Sequence, residues 1–109
     1  MESDIELKIS FRFLELSEKQ ATALRSSELV AKFGTHFKTK SITGIVPLNV
    51  VNINQISIFI DENNISKETT DIFISFVTEY DTRIIDIPSF VNQAVIKLSC
   101  KLVLSYTIA

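Results

Sequence analysis

The chain has 109 residues, 46% of them hydrophobic, and a formal net charge of −2 at pH 7. This length suits one domain, and the weakly acidic balance argues against a nucleic-acid binder, which usually carries a basic surface. Cys100 is the single cysteine, so an internal disulfide is excluded. No run approaches the roughly 20 apolar residues that cross a bilayer, and the acidic N-terminus is unlike a signal peptide. We therefore expect one cytoplasmic domain over residues 1–109 that binds neither nucleic acid nor membranes.

The first predicted element is a β-strand over residues 5–13. Its odd-numbered residues are all apolar, and its even-numbered residues are polar or charged. This period of two is typical of a strand with one buried face and one wetted face.

A helix is predicted next. Ser17 and Gln20 have the spacing of a capping box, and good helix formers follow them to Arg25. We expect the helix to continue or restart as far as Phe33, with Gly34 as its C-terminal stop. A loop or an irregular edge strand is the alternative for this second half.

The middle of the chain predicts extended structure. Residues 42–51 are interrupted by Gly44 and by Pro47, which cannot donate a ladder hydrogen bond, so they predict an edge strand or a loop. Residues 55–61 and 70–80 each alternate, with turn-forming residues between them. These two segments therefore predict a β-hairpin.

The C-terminal part predicts a helix and one ambiguous segment. Pro88 suits a first helical turn, and apolar residues from Phe90 to Leu98 recur at helical spacing. Residues 101–108 alternate with period two, which favours a strand, but several of their apolar residues also fit a helix face. The whole chain predicts an α+β domain, in which an antiparallel β-sheet of about four strands has two short helices packed on one face.

Catalytic and metal-binding patterns are absent from the sequence. His36 and Cys100 are each single and far apart, so the sequence offers no zinc ligand set and no nucleophile–base pair. We predict no enzyme activity, no metal and no cofactor. Lysines and aromatic residues over 32–40 resemble surfaces that stack bases, but lysines at a helix end explain this cluster equally well.

The predicted hairpin is the feature that indicates a binding function. Both of its strands carry large apolar residues on both faces, which an antiparallel sheet with a wetted face should not do. Two short helices cover one face, so the other needs a second subunit or a protein partner. The alternative is that the N-terminal strand folds back over that face. The aromatic candidates for protein binding are Phe59, Phe73, Phe76 and Tyr80.

An acidic cluster gives a second hypothesis. Glu79, Asp81 and Asp86 flank Arg83, so they form either a protein-docking patch or a solvated loop with a surface ion pair. As a docking patch they suit an immunity protein that binds and neutralises a bacterial toxin, such as a basic nuclease.

The C-terminal segments resemble a known family. Residues 74–80 read ISFVTEY, residues 82–87 read TRIIDI, and a short helix and the run from Leu102 to Ala109 follow. This order resembles the SecB-like chaperones, including those attached to bacterial toxin–antitoxin systems. The resemblance implies a four-stranded antiparallel sheet backed by helices, a homo-oligomer, and capture of unfolded clients such as antitoxins, without catalytic residues.

The same resemblance implies that a long C-terminal helix begins at residues 104–107. Residues 101–108 would then not form a strand, and the domain would lack the rest of that helix. Our leading expectation is a non-enzymatic, chaperone-type module that holds apolar client segments on an apolar sheet face. The immunity protein is the alternative.

Overall fold

A computed structural model describes residues 5–36, 38–78 and 86–108 of the chain. Its elements in chain order are β1 (Ile5–Leu16), α1 (Glu18–Ser26), β2 (Lys32–Thr35), β3 (Ile42–Pro47), α2 (Ile53–Glu62), a 3-10 turn (Lys67–Thr69), β4 (Thr70–Thr78), α3 (Ser89–Leu98) and β5 (Lys101–Ile108). The expected α+β class is confirmed. Over the described residues, however, the sheet has five strands, not four, and there are three helices, not two.

The strands form one mixed sheet in the order β2-β3-β1-β4-β5. β1 is the central strand and pairs antiparallel with β3 and with β4, so Phe11 lies between Val46 and Ile72. β5 runs parallel to β4, because the connection between them contains α3 and returns the chain to the same end of the sheet. The predicted all-antiparallel sheet is therefore wrong at this edge.

The hydrophobic core lies between the helices and one face of the sheet. Phe11 and Phe13 of β1 are fully buried, and their rings meet edge to face at a centroid distance of 5.0 Å. Phe13 also meets Phe59 of α2 at 5.6 Å. Such pairs add about 0.5–1.5 kcal/mol beyond the burial of their area. Leu24 of α1 and Leu98 of α3 complete the core, so all three helices share it.

Residues 55–61 form part of α2 and not a strand, so the predicted hairpin is wrong. Ile53, Ile56 and Ile60 point inward at the three- and four-residue spacing of a helix. The alternation of the isoleucines in this segment fits a strand, but Phe59 is also buried, and it lies at helical spacing from Ile56. Ile58 is 55% exposed because it lies on the outer side of the helix.

The first helix begins as predicted but is shorter. The Ser17 hydroxyl accepts a hydrogen bond from the Gln20 N–H at 3.0 Å, and the Gln20 side chain accepts one from the Ser17 N–H at 2.9 Å. The capping box is therefore confirmed. α1 ends at Ser26, and the alternative of a loop or an edge strand is confirmed, because residues 27–31 form a loop and β2 begins at Lys32. Gly34, expected as the helix stop, lies in that strand.

β3 is an inner strand and not an edge, because it lies between β2 and β1. Pro47 is its last residue. At Gly44 a Cβ atom would lie 2.8 Å from the Leu24 side chain, so the absence of a side chain lets α1 approach the strand closely.

Residues 101–108 form β5, which confirms the strand alternative. The helix that the family resemblance implied from residue 104 does not form. α3 confirms the predicted helix, and it ends at Ser99, whose backbone is left-handed with a φ of 51°. The Ser99 N–H donates to the Val95 carbonyl at 2.9 Å, and the chain then turns directly into the strand.

Candidate protein-binding edge

β5 forms one edge of the sheet, since it pairs with β4 on one side and no described strand pairs with its other side. Three of its residues lie beside buried β4 residues in the parallel register: Leu102 beside Ile72, Leu104 beside Ile74, and Tyr106 beside Phe76. Residues that lie side by side in register share a face of the sheet, so these β5 residues project toward the helix side. We call Leu102, Leu104 and Tyr106 the β5 stripe.

The β5 stripe is far more exposed than the β4 residues beside it. Leu102, Leu104 and Tyr106 are 43%, 58% and 46% exposed, whereas Ile72 and Ile74 are fully buried. The apolar face of the sheet thus continues from β4 onto β5, but the helix cover does not. Burial of apolar surface stabilises a complex by about 25 cal/mol per Å², so covering the stripe favours binding.

α3 leaves the β5 stripe open because it packs inward. Its buried residues Val91, Ala94 and Leu98 belong to the core, and the helix lies against α2. Its outer side carries Ile96, which is 79% exposed. The helix that connects β4 to β5 therefore serves the core and gives the stripe little cover.

Among the described strands, none pairs with the outer main chain of β5. An edge strand presents a row of N–H and C=O groups, and proteins usually protect it with charges, proline, bulges or a short length. β5 has eight residues, and none from Leu102 to Thr107 is charged, proline or glycine. Lys101, at its start, is the only charged residue of the strand.

The opposite face of the sheet carries an ion pair. Arg12 donates to Asp71 through Nε at 2.7 Å and through Nη2 at 2.6 Å, and Asp71 is 2% exposed. The Arg12 guanidinium carbon lies 4.2 Å from the centre of the Phe73 ring. Both carboxylate oxygens accept from the guanidinium, so the pair holds β1 to β4 and does not present a general acid or base.

The structure does not bring the predicted aromatic residues together. Phe59 and Phe76 are 6% and 7% exposed and belong to the core. Phe73 lies on the other face of the sheet, against Arg12. Tyr80 lies outside the described residues, so its role stays a prediction.

Only one residue of the predicted acidic cluster is described. Asp86 is exposed. Exposure is expected both for a docking residue and for a solvated loop residue, so it does not separate the two interpretations. Glu79, Asp81 and Arg83 lie outside the described residues. The acidic docking patch therefore stays a prediction.

The β5 stripe was not among the residues predicted from the sequence. Its alternation predicted a strand, but alternation does not tell whether a strand lies at the centre or at the edge of a sheet. The signal that could have found it is the uncharged run after Lys101, because edge strands of this length usually carry a protecting charge.

Cys100 lies between α3 and β5 and is not a reactive thiol. Burial, and after it the negative charge of Asp71, raises the pKa of the Cys100 thiol to about 11. The thiol is therefore protonated at neutral pH, whereas the thiolate is the nucleophile. In the described part of the chain no group of three or more His, Cys, Asp or Glu residues could hold a metal ion.

Comparison of the chain with protein-family models, with curated proteins and with solved structures found no match. None of the described helices is both long and apolar enough to cross a membrane. The SecB-like resemblance therefore stays a prediction.

Proposed function

We propose that this protein is a non-enzymatic binding module of the chaperone type, which takes an extended apolar segment of a client polypeptide along β5. The observation that carries this proposal is the β5 stripe, whose three side chains are 43–58% exposed on an edge that no described strand pairs with. When a peptide adds to a sheet edge, main-chain hydrogen bonds supply affinity and alternate side chains supply selectivity.

A client strand would use both parts of this edge. Its N–H and C=O groups would continue the hydrogen-bond ladder of the sheet, and every second side chain would cover the β5 stripe. The expected recognition feature is therefore an uncharged segment with alternate apolar residues. Unfolded chains expose such segments, and an unstable antitoxin is one client of this kind.

An immunity function is the alternative, and a different surface favours it. A groove of about 240 Å³ beside α2 is lined by Glu28, Glu62 and Ile58, and Ile58 is 55% exposed. An apolar residue accompanied by carboxylates suits a basic surface on a folded toxin.

Peptide binding measured by fluorescence anisotropy tests the proposed function. The probe is a labelled peptide of alternating leucine and threonine, and its control is the same peptide with an N-methyl group on every residue, so that both of its edges are blocked. The control keeps every side chain but cannot form the ladder. We expect the unmodified peptide to bind and the methylated peptide to bind at least about tenfold more weakly, since strand addition depends on main-chain hydrogen bonds.

Two variants locate the binding site. Leu104→Lys is expected to weaken peptide binding about tenfold, because it removes apolar contact and adds a charge to the edge. Val30→Lys is the matched control, since Val30 is 79% exposed in the loop between α1 and β2. Equal weakening by both variants, or equal binding of the two peptides, would contradict a site on β5.

Salt separates the two candidate functions. Apolar capture on β5 should change little between low and physiological ionic strength, because no charge of the strand lies on the stripe. Binding of a basic toxin by Glu28 and Glu62 should weaken steeply over the same range. A strong salt dependence for peptide binding would therefore contradict the β5 mechanism.

A further inference from the structure

We infer that the resident partner of β5 is a second copy of this chain, paired antiparallel across a two-fold axis at Leu104. The inference rests on the proposed function, because it assigns a partner to the same strand. The dimer joins two five-stranded sheets into one continuous sheet, with both helix layers on the same side. A client segment then competes with the second copy for β5.

The β5 sequence is self-complementary about Leu104. In an antiparallel pair centred there, these residues lie opposite one another: Leu104 and its own copy, Leu102 and Tyr106, Val103 and Ser105, Lys101 and Thr107. Large apolar residues thus meet on the helix side, and small or polar residues meet on the other side. Directly opposed apolar side chains are the unit by which paired strands stabilise each other.

The register also fits the two faces of the sheet. The even-numbered residues of β5 face the helix side, and this register pairs even with even. A shift by one residue would pair Leu104 with Val103 and place the exposed stripes of the two copies on opposite sides. The self-complementary register keeps both stripes together, where they cover each other.

Charge does not oppose this pairing. Lys101 is the only charged residue of β5, and it would lie opposite Thr107. The two Lys101 residues would be about 20 Å apart along the strands, given a rise of about 3.3 Å per residue. At physiological salt, charges at that distance are largely screened.

The interface is small, so the dimer is expected to dissociate on dilution. The paired segment, residues 101–107, is about 23 Å long. Strand pairing of this extent falls at the low end of specific protein interfaces, where association is weak and reversible. A reversible dimer leaves β5 available to a client, as the proposed function requires.

Light scattering over a dilution series tests the dimer. The full chain should approach twice its mass of 12.3 kDa at high concentration and fall toward that mass on dilution. Leu104→Lys should weaken dimerisation at least about tenfold, because two ammonium groups would face each other at the axis. Val30→Lys should dimerise like the original chain. Circular dichroism of each variant confirms that it is folded.

Disulfide formation tests the register. In a Cys100→Ser background, Leu104→Cys places two thiols opposite each other, and mild oxidation should yield a covalent dimer. Thr107→Cys is the control on the same strand, because its two copies would be about 20 Å apart. The control should remain a monomer on a denaturing gel.

The outcomes separate this inference from the proposed function. A strict monomer at all concentrations, a dimer that persists in Leu104→Lys, or equal crosslinking of the two cysteine variants would overturn the inference. If a strict monomer still binds the peptide, the dimer is excluded but the proposed function stands. A dimer that dissociates on dilution into a monomer that binds no peptide supports the inference and contradicts the proposed function.

Discussion

The two edge strands of the sheet, β2 and β5, differ in how well they are protected against pairing with another strand. β2 has four residues, begins with the exposed Lys32 and contains Gly34. β5 has eight residues and exposes Leu102, Leu104 and Tyr106. Short length and lysine are features by which proteins prevent pairing at a sheet edge. One edge is therefore protected and the other is not, and of the two edge strands only β5 exposes large apolar side chains.

This contrast changes the argument for a partner. The sequence placed the excess apolar surface on a central hairpin, but the first segment of that hairpin is α2 and its inner residues are covered. At the edges of the sheet, the apolar surface that lacks cover is at β5.

The largest expected effect comes from loosening α3, on which the position of β5 depends. Leu98 is 1% exposed and is the last buried residue of α3 before β5. Leu98→Ala should lower the free energy of unfolding by about 3 kcal/mol, because it leaves a cavity. Hydrogen exchange should quicken in β5 more than in β2 and β3. Denaturant unfolding and exchange with mass spectrometry measure the two effects.

The control for this cavity lies on the same helix. Ile96→Ala removes a side chain that is 79% exposed and should change stability by less than about 0.5 kcal/mol. If Leu98→Ala quickens exchange equally in all strands, β5 does not open separately from the rest of the sheet.

The reactivity of the Cys100 thiol measures how well the start of β5 is buried. Its pKa of about 11 means that the folded chain holds the thiol proton more tightly than the unfolded chain, whose cysteine titrates at about 8.5. The stability that this group contributes is therefore complete below about pH 8.5 and is lost as the pH rises toward about 11. At about pH 8, iodoacetamide should modify Cys100 about 100-fold more slowly in the folded chain than in urea.

Mass spectrometry across that pH range measures the modification rate. Leu98→Ala should speed the reaction, because it opens the junction between α3 and β5. Equal rates for the folded and the unfolded chain would show that the thiol is not buried.

A smaller effect is expected where β4 is held to β1. Asp71 accepts both hydrogen bonds from Arg12 and lies beside Lys101 of β5 in register. Asp71→Ala should lower the free energy of unfolding by about 2 kcal/mol, because Arg12 loses its partner, although water reaches the guanidinium. Asp71→Asn keeps the shape and one acceptor and should cost about half as much. A loss below about 0.5 kcal/mol would mark the pair as an ordinary surface ion pair.

The smallest effect is expected at the protected edge. Lys32→Val removes the charge of β2 but leaves its short length, so stability should change by less than about 0.5 kcal/mol. Light scattering should show no added association through β2. Strong association of this variant would show that Lys32 alone keeps that edge apart.

Local patterns correctly predicted the elements whose pattern is compatible with only one type of secondary structure. The alternation of residues 5–13 led to β1, and the spacing of Ser17 and Gln20 led to the capping box. The segment of α2 is compatible with two structures, because its isoleucines alternate while Phe59 and Ile60 follow Ile56 at helical spacing. Helix or strand could not be decided there without knowing what the segment packs against.

The candidate site depends on facts that no single segment contains. Phe59 and Phe73 were predicted to share a binding face, but an error in the type of one element put them on different sides of the sheet. The exposure of Leu104 depends on where α3 packs, and that position is set by Val91 and Ala94 in the core. The sequence could therefore predict the strand but not its place at an open edge.

The parallel pairing of β4 and β5 also bears on the route by which the chain folds. Arg12 and Asp71 are 59 positions apart, so the central pairing of β1 with β4 closes late and belongs to the slow class of non-local contacts. β5 pairs with β4 over a shorter separation, 30 positions between Ile72 and Leu102, so this contact is the more local of the two. Without β5, Ile72 and Ile74 would lie at the rim of the sheet, so the strand that leaves its own side open is also the strand that covers the edge of β4.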